Sequence, residues 1–453
     1  MTKEEKNLQN AMTEGVIWKQ LLLFFFPIVL GTFFQQLYNT ADAIIVGKFV
    51  GKEALAAVGG TTGTLINLLV GFFVGLSSGA SVIISQFFGA RRPDDVSRAV
   101  HTTMALALAS GAALTVLGIW SSRAVLVMMG TPEDVLGHAV TYINIYFLGM
   151  IPSLIYNIGS GILRAVGDSR RPLFFLISAT MTNIVLDVVL VIGLDMGVAG
   201  AAWATVLSQL LSAILCTIVG LRKYPVLRTR RADFAGSRIA AARHLRVGFL
   251  MGFQMSVMCI GQLVVQACVN KLGTAAVAGY TAATKVDQLS VLVNTAYQIA
   301  ISGYVAQNYG AHRFDRIREG VRASLIQLES VNVLMCAAML LTRRAVVSLF
   351  IDAPTEEVIS YAGGYLTVVA PFYVVLGLLI VYRSAVQSMG NSTAPFLACV
   401  VELVMRISGA LGLARVLGYT GVCCSSPLAW IGATALLIPF YRCEMRKGKN
   451  IAA

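Results

Sequence analysis

Charge is scarce in this 453-residue chain: 13% of residues are Asp, Glu, Lys or Arg, while 57% are hydrophobic. Soluble domains carry about a quarter charged residues. With a mean hydropathy of +0.75, there is too little polar surface to cover a core of this size in water. That excludes an ordinary globular enzyme, a disordered chain and a nucleic-acid-binding domain. Acids are the scarcer sign, 22 against 35 Lys and Arg, for a net charge of +13. No basic stripe interleaves with aromatics, so the excess does not point to nucleic acid. Histidine is nearly missing: His101, His138, His244 and His312 fall at helix ends or in loops, and no pair has metal-ligand spacing. The eight cysteines form no CxxC or Cys/His pattern and lie mostly inside apolar runs, as small buried residues do. There is no GxxxxGK[ST] loop, so ATP does not drive this chain. No nucleophile stands with a base, so the expectation is a protein that is not an enzyme and has no cofactor. Ten-residue alternations are missing too, which disfavours a transmembrane barrel.

What remains is an all-α integral membrane protein. A spanning helix needs about 20 mostly apolar residues. Twelve runs qualify, near 17–46, 55–85, 97–119, 136–163, 172–194, 198–221, 245–270, 277–308, 320–341, 358–388, 394–415 and 420–441. The start, MTKEEKNLQNAMTEG, is not followed by a small-residue cleavage site, so the first run reads as a retained helix. Loops are short except for the basic stretch 222–244. Alternate loops carry 24 and seven Lys+Arg. By the positive-inside rule both termini and the 222–244 linker are cytoplasmic, and the protein is a multi-pass protein of the cell membrane.

The halves repeat. AAVGGTT (56–62) is echoed by AAVAGYT (275–281), QFFGARRPDDVSRAV (86–100) by QNYGAHRFDRIREGV (307–321), and LRAVGDSRRP (163–172) by VQSMGNSTAP (386–395). The expected organisation is an N-terminal lobe 1–221, the linker 222–244 and a C-terminal lobe 245–453. Each lobe is a six-helix bundle, and the two form pseudo-symmetric parallel repeats with a cleft between them.

A charge at the bilayer centre costs about 2.5–3.5 kcal/mol on insertion scales, so each one inside an apolar run is informative. In the first run Gln35, Tyr38 and Asp42 are spaced i, i+3, i+7 and share a stripe, downstream of the helix-breaking Pro27. In the fifth run Asn183 and Asp187 are i, i+4. Thr205 follows in GVAGAAWAT. Two carboxyls brought together in low dielectric do not both ionise cheaply, so the set is a site for a proton or a small cation. The repeat offset puts Val264, Leu411 and Ala429 opposite Asp42, Asp187 and Thr205, so the second half has no such set. Other deep polar residues keep two readings open. Glu402 and Arg406, at i, i+4, either neutralise each other or line a cleft. Lys285 and Asp287 sit near the start of the eighth run, where snorkelling is available. Glu329 and Arg383 also lie within apolar runs. Asn157 faces the cleft or caps a packing contact. Gln254, Gln262 and Gln266 give the seventh run a polar face suited to packing or to a drug-sized ligand.

These motifs, in this order, resemble the multidrug and toxic compound extrusion (MATE) family. The resemblance runs over essentially the whole chain: Pro27 with Asp42 fifteen residues on and VG at 46–47, QFFGARRPDD, LRAVGDSRRP, Asn183/Asp187 and GVAGAAWAT ending at Thr205. It implies twelve helices in two lobes and export of organic cations and other drugs in exchange for Na⁺ or H⁺. It further implies a cation site in the N-terminal lobe, possible for Na⁺, at Asp42, Asn183, Asp187 and Thr205 with Tyr38 alongside. Pro27 would lie at the bend of the first helix, and Gln35, Asn157, Gln254 and Gln262 at the substrate cavity or its gate. Some relatives carry a Glu on helix seven and an Asp on helix ten; Met258 and Leu376 lie near those positions here. The partners expected are a small-molecule substrate and the lipid bilayer, with no nucleic acid, and the assembly a monomer. A lipid-linked or oligosaccharide flippase of related architecture is the rival within transport, and an integral membrane enzyme the rival outside it.

Overall fold

The computed structural model describes residues 12–228, 237–350 and 355–452. The linker 222–244 is therefore described only in part, and Lys3, Lys6, Arg230 and Arg231 of the charge count lie outside the described residues. Among the described residues every regular element is helical. In a hydrocarbon layer this is the arrangement in which a single segment satisfies its own backbone N–H and C=O groups.

The N-terminal half contains α1 (Ile17–Phe49), the short α2 (Lys52–Gly59), α3 (Thr61–Gly89), α4 (Pro93–Met128), α5 (Glu133–Leu148), α6 (Met150–Ala165), α7 (Arg170–Asp187) and α8 (Gly197–Lys223). The C-terminal half contains α9 (Ser237–Asn270), α10 (Thr274–Gly310), α11 (Phe314–Phe350), α12 (Glu356–Val369), α13 (Tyr373–Ser388), α14 (Thr393–Ser408), two short helices α15 (Ala414–Leu417) and α16 (Tyr419–Cys423), and α17 (Ser425–Ala452). Among the described residues eleven spans are long and apolar enough to cross a bilayer, and α5 with α6, bent by 52° at Gly149, brings the number to twelve when the bent pair is counted as one span. The protein is thus a multi-pass membrane protein with the twelve spans read from the sequence. The bend packs tightly: a Cβ at Gly149 would come within 2.5 Å of the Val206 side chain on α8.

The repeat is written into the backbone. Left-handed residues recur in pairs at nearly constant offset: Gly51 and Gly273, Arg91 and His312, Gly167 and Gly390, Gly197 and Gly418. At Gly167 (φ 93°) and Gly390 (φ 96°) the chain leaves one helix in a conformation glycine adopts without strain. The next helix is then capped from the side. Asp168 Oδ1 accepts from the backbone N–H of Arg170 and Arg171 at 3.1 and 3.2 Å, and Asn391 Oδ1 accepts from Ala394 N–H at 3.1 Å. This is why GDSRRP and GNSTAP survive as echoes. Both α7 and α14 run on into a π-helical stretch, Val188–Gly193 and Gly409–Leu413. Matching those onsets sets Asp187 opposite Ser408, not Leu411 as the offset suggested.

By packing, the chain forms two compact units. One holds Phe26–Gly252; the other holds Thr13–Phe25 together with the described residues from Phe253 on. α1 therefore changes unit next to Pro27. Its first turns are held in the second unit by Phe25 against the Tyr297 ring (centroids 4.8 Å apart), by Gln327 Nε2 donating to Trp18 O (3.0 Å), and by Arg316 Nη1 donating to Gly15 O (3.1 Å). α9 is shared likewise. Its first part packs on α3 through small residues: a Cβ at Gly252 would lie 2.7 Å from the Phe72 ring and 2.8 Å from Phe72 O, and one at Gly79 would lie 2.8 Å from Gly248 Cα. Such close approach is how helices gain packing in lipid, where apolar transfer supplies no drive.

This contrast fixes a stability prediction. Gly252→Ala should destabilise the protein by about 1–3 kcal/mol through overpacking. Gly220→Ala, on α8 with nothing within 4 Å of its Cβ, should stabilise it by about 0.5–1 kcal/mol. Thermal unfolding of the two variants in detergent should shift in opposite directions.

Candidate functional site

In the first unit, α1, α5, α7 and α8 bring together the polar residues read from the sequence. Asp42 is 6% exposed, Thr205 2%, and Asn183 and Asp187 0%. The carboxyls of Asp42 and Asp187 stand within hydrogen-bonding reach of each other, a bond that exists when one of them holds a proton. The Tyr38 phenol stands in reach of the Thr205 hydroxyl, which itself donates to Ala201 O (3.1 Å). Register produces this. Tyr38 and Asp42 are one turn apart on α1, as are Asn183 and Asp187 on α7. α8 supplies Ala201 and Ala202 near Thr205, and these small residues pack in one buried cluster with Val46 of α1 and Tyr142 of α5. Gly200 carries the π-helical stretch after Asp187: a Cβ there would sit 3.0 Å from the Leu190 carbonyl carbon.

The polar atoms of the site are largely unpaired. Among the described residues Asp42 Oδ1, both Asp187 oxygens, both Asn183 amide atoms and Thr180 Oγ1 are buried with no hydrogen-bond partner. Buried polar atoms are almost always paired, and a cluster that is not calls for a missing ion, water or role. The oxygens of two carboxyls, an amide and a hydroxyl form a hard donor set suited to a proton or a small cation. Among the described residues no group of three or more His, Cys, Asp or Glu forms a metal centre.

Sequence reasoning missed two members. Tyr142 and Tyr146, i, i+4 on α5, stack with ring centroids 6.3 Å apart and stand in the electrostatic neighbourhood of Asp42 and Tyr38. The signal was there as a pair of tyrosines at helical spacing in an apolar run. The remaining sequence candidates lie apart. Pro27 is half-buried on α1 and Gln35 is exposed. Asn157, half-buried on α6, donates to Ser153 O on its own helix (2.9 Å). On α9 the three glutamines do not share an environment: Gln254 is buried with Nε2 unpartnered, Gln262 is exposed, and Gln266 donates to Asn270 (2.9 Å).

The second unit holds other charges. Glu402 does more than pair with Arg406 (3.1 Å), since Arg383 Nη2 donates to its other oxygen, so one buried carboxylate lies between two buried guanidiniums. Lys285 and Asp287 lie three turns inside α10, not near its start. Lys285 is exposed, whereas Asp287 accepts from Tyr373 (2.5 Å) and Tyr365 (3.1 Å) hydroxyls.

The unpaired carboxyls yield a prediction. With both carboxyls charged, the pair destabilises the fold, and a proton or bound cation relieves it. In Na⁺-free buffer well above neutrality, Asp187→Asn should be more stable than wild type by about 1–3 kcal/mol, the cost of an unsatisfied buried polar group. The gap should close as pH falls or Na⁺ is added. Thermal unfolding across a pH and Na⁺ series measures it.

Comparison with known proteins bears on the family and the fold. The MatE family profile matches residues 27–189 and 251–411. The probable multidrug resistance protein YoeA of Bacillus subtilis is 25% identical, over 98% of each chain. The probable multidrug resistance protein YpnP of the same organism is 26% identical, over 95% of this chain and 96% of its own length. Among solved structures, one described as the outward-facing conformation of a multidrug resistance MATE family transporter of the MOP superfamily superposes with a TM-score of 0.91 at 23% identity, covering 99% of each chain.

Proposed function

The chain belongs to the MatE family, and from that premise we propose that it is a secondary active antiporter of the cell membrane, exporting drug-like or organic cationic small molecules in exchange for H⁺ or Na⁺. One observation carries the reading: the Asp42 and Asp187 carboxyls are buried together in the first unit, with Asp42 Oδ1 and both Asp187 oxygens unpaired among the described residues. Such a pair has two stable conditions, one proton or cation bound, or a conformation that lets water in. That is what a coupling site requires. The names of the relatives, multidrug resistance proteins, support the substrate class.

In this reading the ion enters from outside and binds at Asp42 and Asp187, with Asn183 Oδ1 and Thr205 Oγ1 completing the donor set and Tyr38 closing one side. Ion binding removes the like-charge repulsion and favours a different packing of α1. Pro27 has no N–H to give, so the Leu23 carbonyl loses its helical partner and the helix bends there at low cost. Pro27 also sits where α1 passes from one packing unit to the other, a position where a bend changes which neighbours the helix keeps. Gln35, Asn157, Gln254 and Gln262 are the polar groups proposed to meet substrate. The protein works as a monomer with both termini cytoplasmic, carries no cofactor and catalyses no covalent chemistry. A single charge crossing 100 mV supplies about 2.3 kcal/mol, which at about 1.4 kcal/mol per tenfold sustains roughly fifty-fold accumulation.

Flippase chemistry is disfavoured by the same structure. A lipid-linked phosphate calls for free buried guanidiniums, and the Glu402 carboxylate already takes a hydrogen bond from each of Arg383 and Arg406.

Ethidium efflux from proteoliposomes under an imposed ΔpH or ΔNa⁺ tests the reading. Wild type should accumulate ethidium against its gradient under one of the two. Asp42→Asn should lose that roughly fifty-fold advantage while still binding ethidium. Full ion-driven export by Asp42→Asn, or identical export with no gradient, refutes it.

A further inference from the structure

A second carboxyl without a partner lies in the other unit. Glu329, on α11, has both side-chain oxygens shut off from solvent and no hydrogen-bond partner among the described residues. Its surroundings account for this. Asn294 on α10 and Asn332 on α11 form a reciprocal amide pair: Asn294 Nδ2 donates to Ser290 O (2.9 Å) and Asn332 Oδ1 (3.0 Å), and Asn332 Nδ2 donates to Tyr373 O (3.0 Å) and Asn294 Oδ1 (3.5 Å). Each amide nitrogen has two hydrogens, and these four are directed at other acceptors, so the Asn332 amide stands beside Glu329 without satisfying either carboxyl oxygen. The space is also closed. A Cβ at Gly377 on α13 would lie 2.6 Å from both Glu329 Oε1 and Asn332 Nδ2. That leaves no room for a metal ion with its coordination shell on this face, whereas a proton needs none.

The elements packed against α11 bring no counter-charge. On α10, Asp287 is held by two tyrosine hydroxyls and Lys285 is exposed. On α13, Arg383 is bound to Glu402 and the Tyr373 hydroxyl to Asp287. On α12 the charged residues are Glu356 and Glu357 in its first turn, and Tyr365 is spent on Asp287. On α17 the charges, Arg442, Glu444, Arg446 and Lys447, lie in the last turns, and on the first turns of α1 the charge is Lys19. An ionised carboxylate here would have no cation and no donor beyond the Asn332 amide edge beside it, a costly condition for an acid inside a membrane protein.

We propose that Glu329 is a second ion-carrying group of this transporter, a carboxyl in the C-terminal unit that binds and releases one proton per cycle separately from the Asp42–Asp187 pair. Each turnover then moves one proton more than the N-terminal pair accounts for. Asp287 and Glu402 differ from it in having hydrogen-bond partners.

The inference rests on the antiport reading, and the test separates the two. The proton-to-ethidium ratio is read from the membrane potential at which ΔpH-driven ethidium flux reverses in proteoliposomes. Glu329→Gln, isosteric and neutral, should give a ratio one proton lower than wild type; Glu329→Asp should restore it. Difference infrared spectra of the purified protein in ethidium-free and ethidium-saturated states should show a protonated-carboxyl band that Glu329→Gln removes and Asp42→Asn leaves in place. An unchanged ratio with an unchanged band in Glu329→Gln overturns the proposal and leaves the antiporter standing. Absence of any ion-driven ethidium flux in wild type overturns both. If Glu329→Gln fails to fold, the band in Glu329→Asp decides: a shifted band supports the proposal, and a band identical to wild type overturns it.

Discussion

An acid inside a membrane protein has few ways to exist, and the interior of this chain is organised around them. Four solutions appear. Glu402 is held between two guanidiniums and Asp287 between two phenols, so both have partners and tie helices together. Asp42 with Asp187, and Glu329 alone, have no such support. In a low-dielectric medium an unsupported carboxylate costs several kcal/mol, far more than any single packing contact returns. In the antiport reading the protein spends stability at these two places because the missing partner is the transported ion. Protein cores retain such groups where function requires them.

The duplication shows which parts are scaffold. The left-handed pairs, the capped starts of α7 and α14 and the two π-helical stretches occur in both halves. These are features of backbone geometry, and they persist whatever the side chains do. The acids do not follow them. Asp187 stands opposite Ser408 at the onset of the matching π-helical stretch, so the irregular backbone is common to both halves and only one was given a carboxyl. π-helical insertions cluster at functional sites because they present side chains off the regular register. Here the second half keeps the geometry and carries its unsupported acid elsewhere, on α11.

Much of this was legible in the sequence. Hydrophobic run length alone places the twelve spans, because the bilayer imposes one length on all of them. Helical spacing puts Tyr38 with Asp42 and Asn183 with Asp187 on common faces, and the structure joins the faces. Other features need tertiary contacts. The 52° bend at Gly149 depends on Val206 leaving no room for a side chain. Arg383 reaches Glu402 from 19 residues away, beyond the reach of an i, i+4 argument, so the sequence shows a pair where the structure has three charges. Glu329 looks like any acid in an apolar run until the structure shows both its oxygens shut off from solvent and unpaired among the described residues. Tyr142 and Tyr146 read as ordinary aromatic packing because nothing local in α5 says that α1 and α7 bring carboxyls beside them.

In the antiport reading an ion at Asp42 has to act at a distance. Fifteen residues separate Asp42 from Pro27, about 22 Å of helix at 1.5 Å per residue. A helix of that length transmits a rotation or tilt without needing a chain of switching side chains, since its backbone bonds hold it as one body. Its weak point is known in advance: the missing N–H at Pro27. On one side of that point α1 is held by Tyr297, Gln327 and Arg316, and on the other it carries Tyr38 and Asp42. Any change in charge at Asp42 that alters how the far segment packs is therefore relieved at the proline, not absorbed along the helix. Coupling requires only that the two packings of the far segment differ by an amount comparable with one ion's binding energy. A buried, largely unpaired acid pair supplies a difference of that order each time it fills or empties.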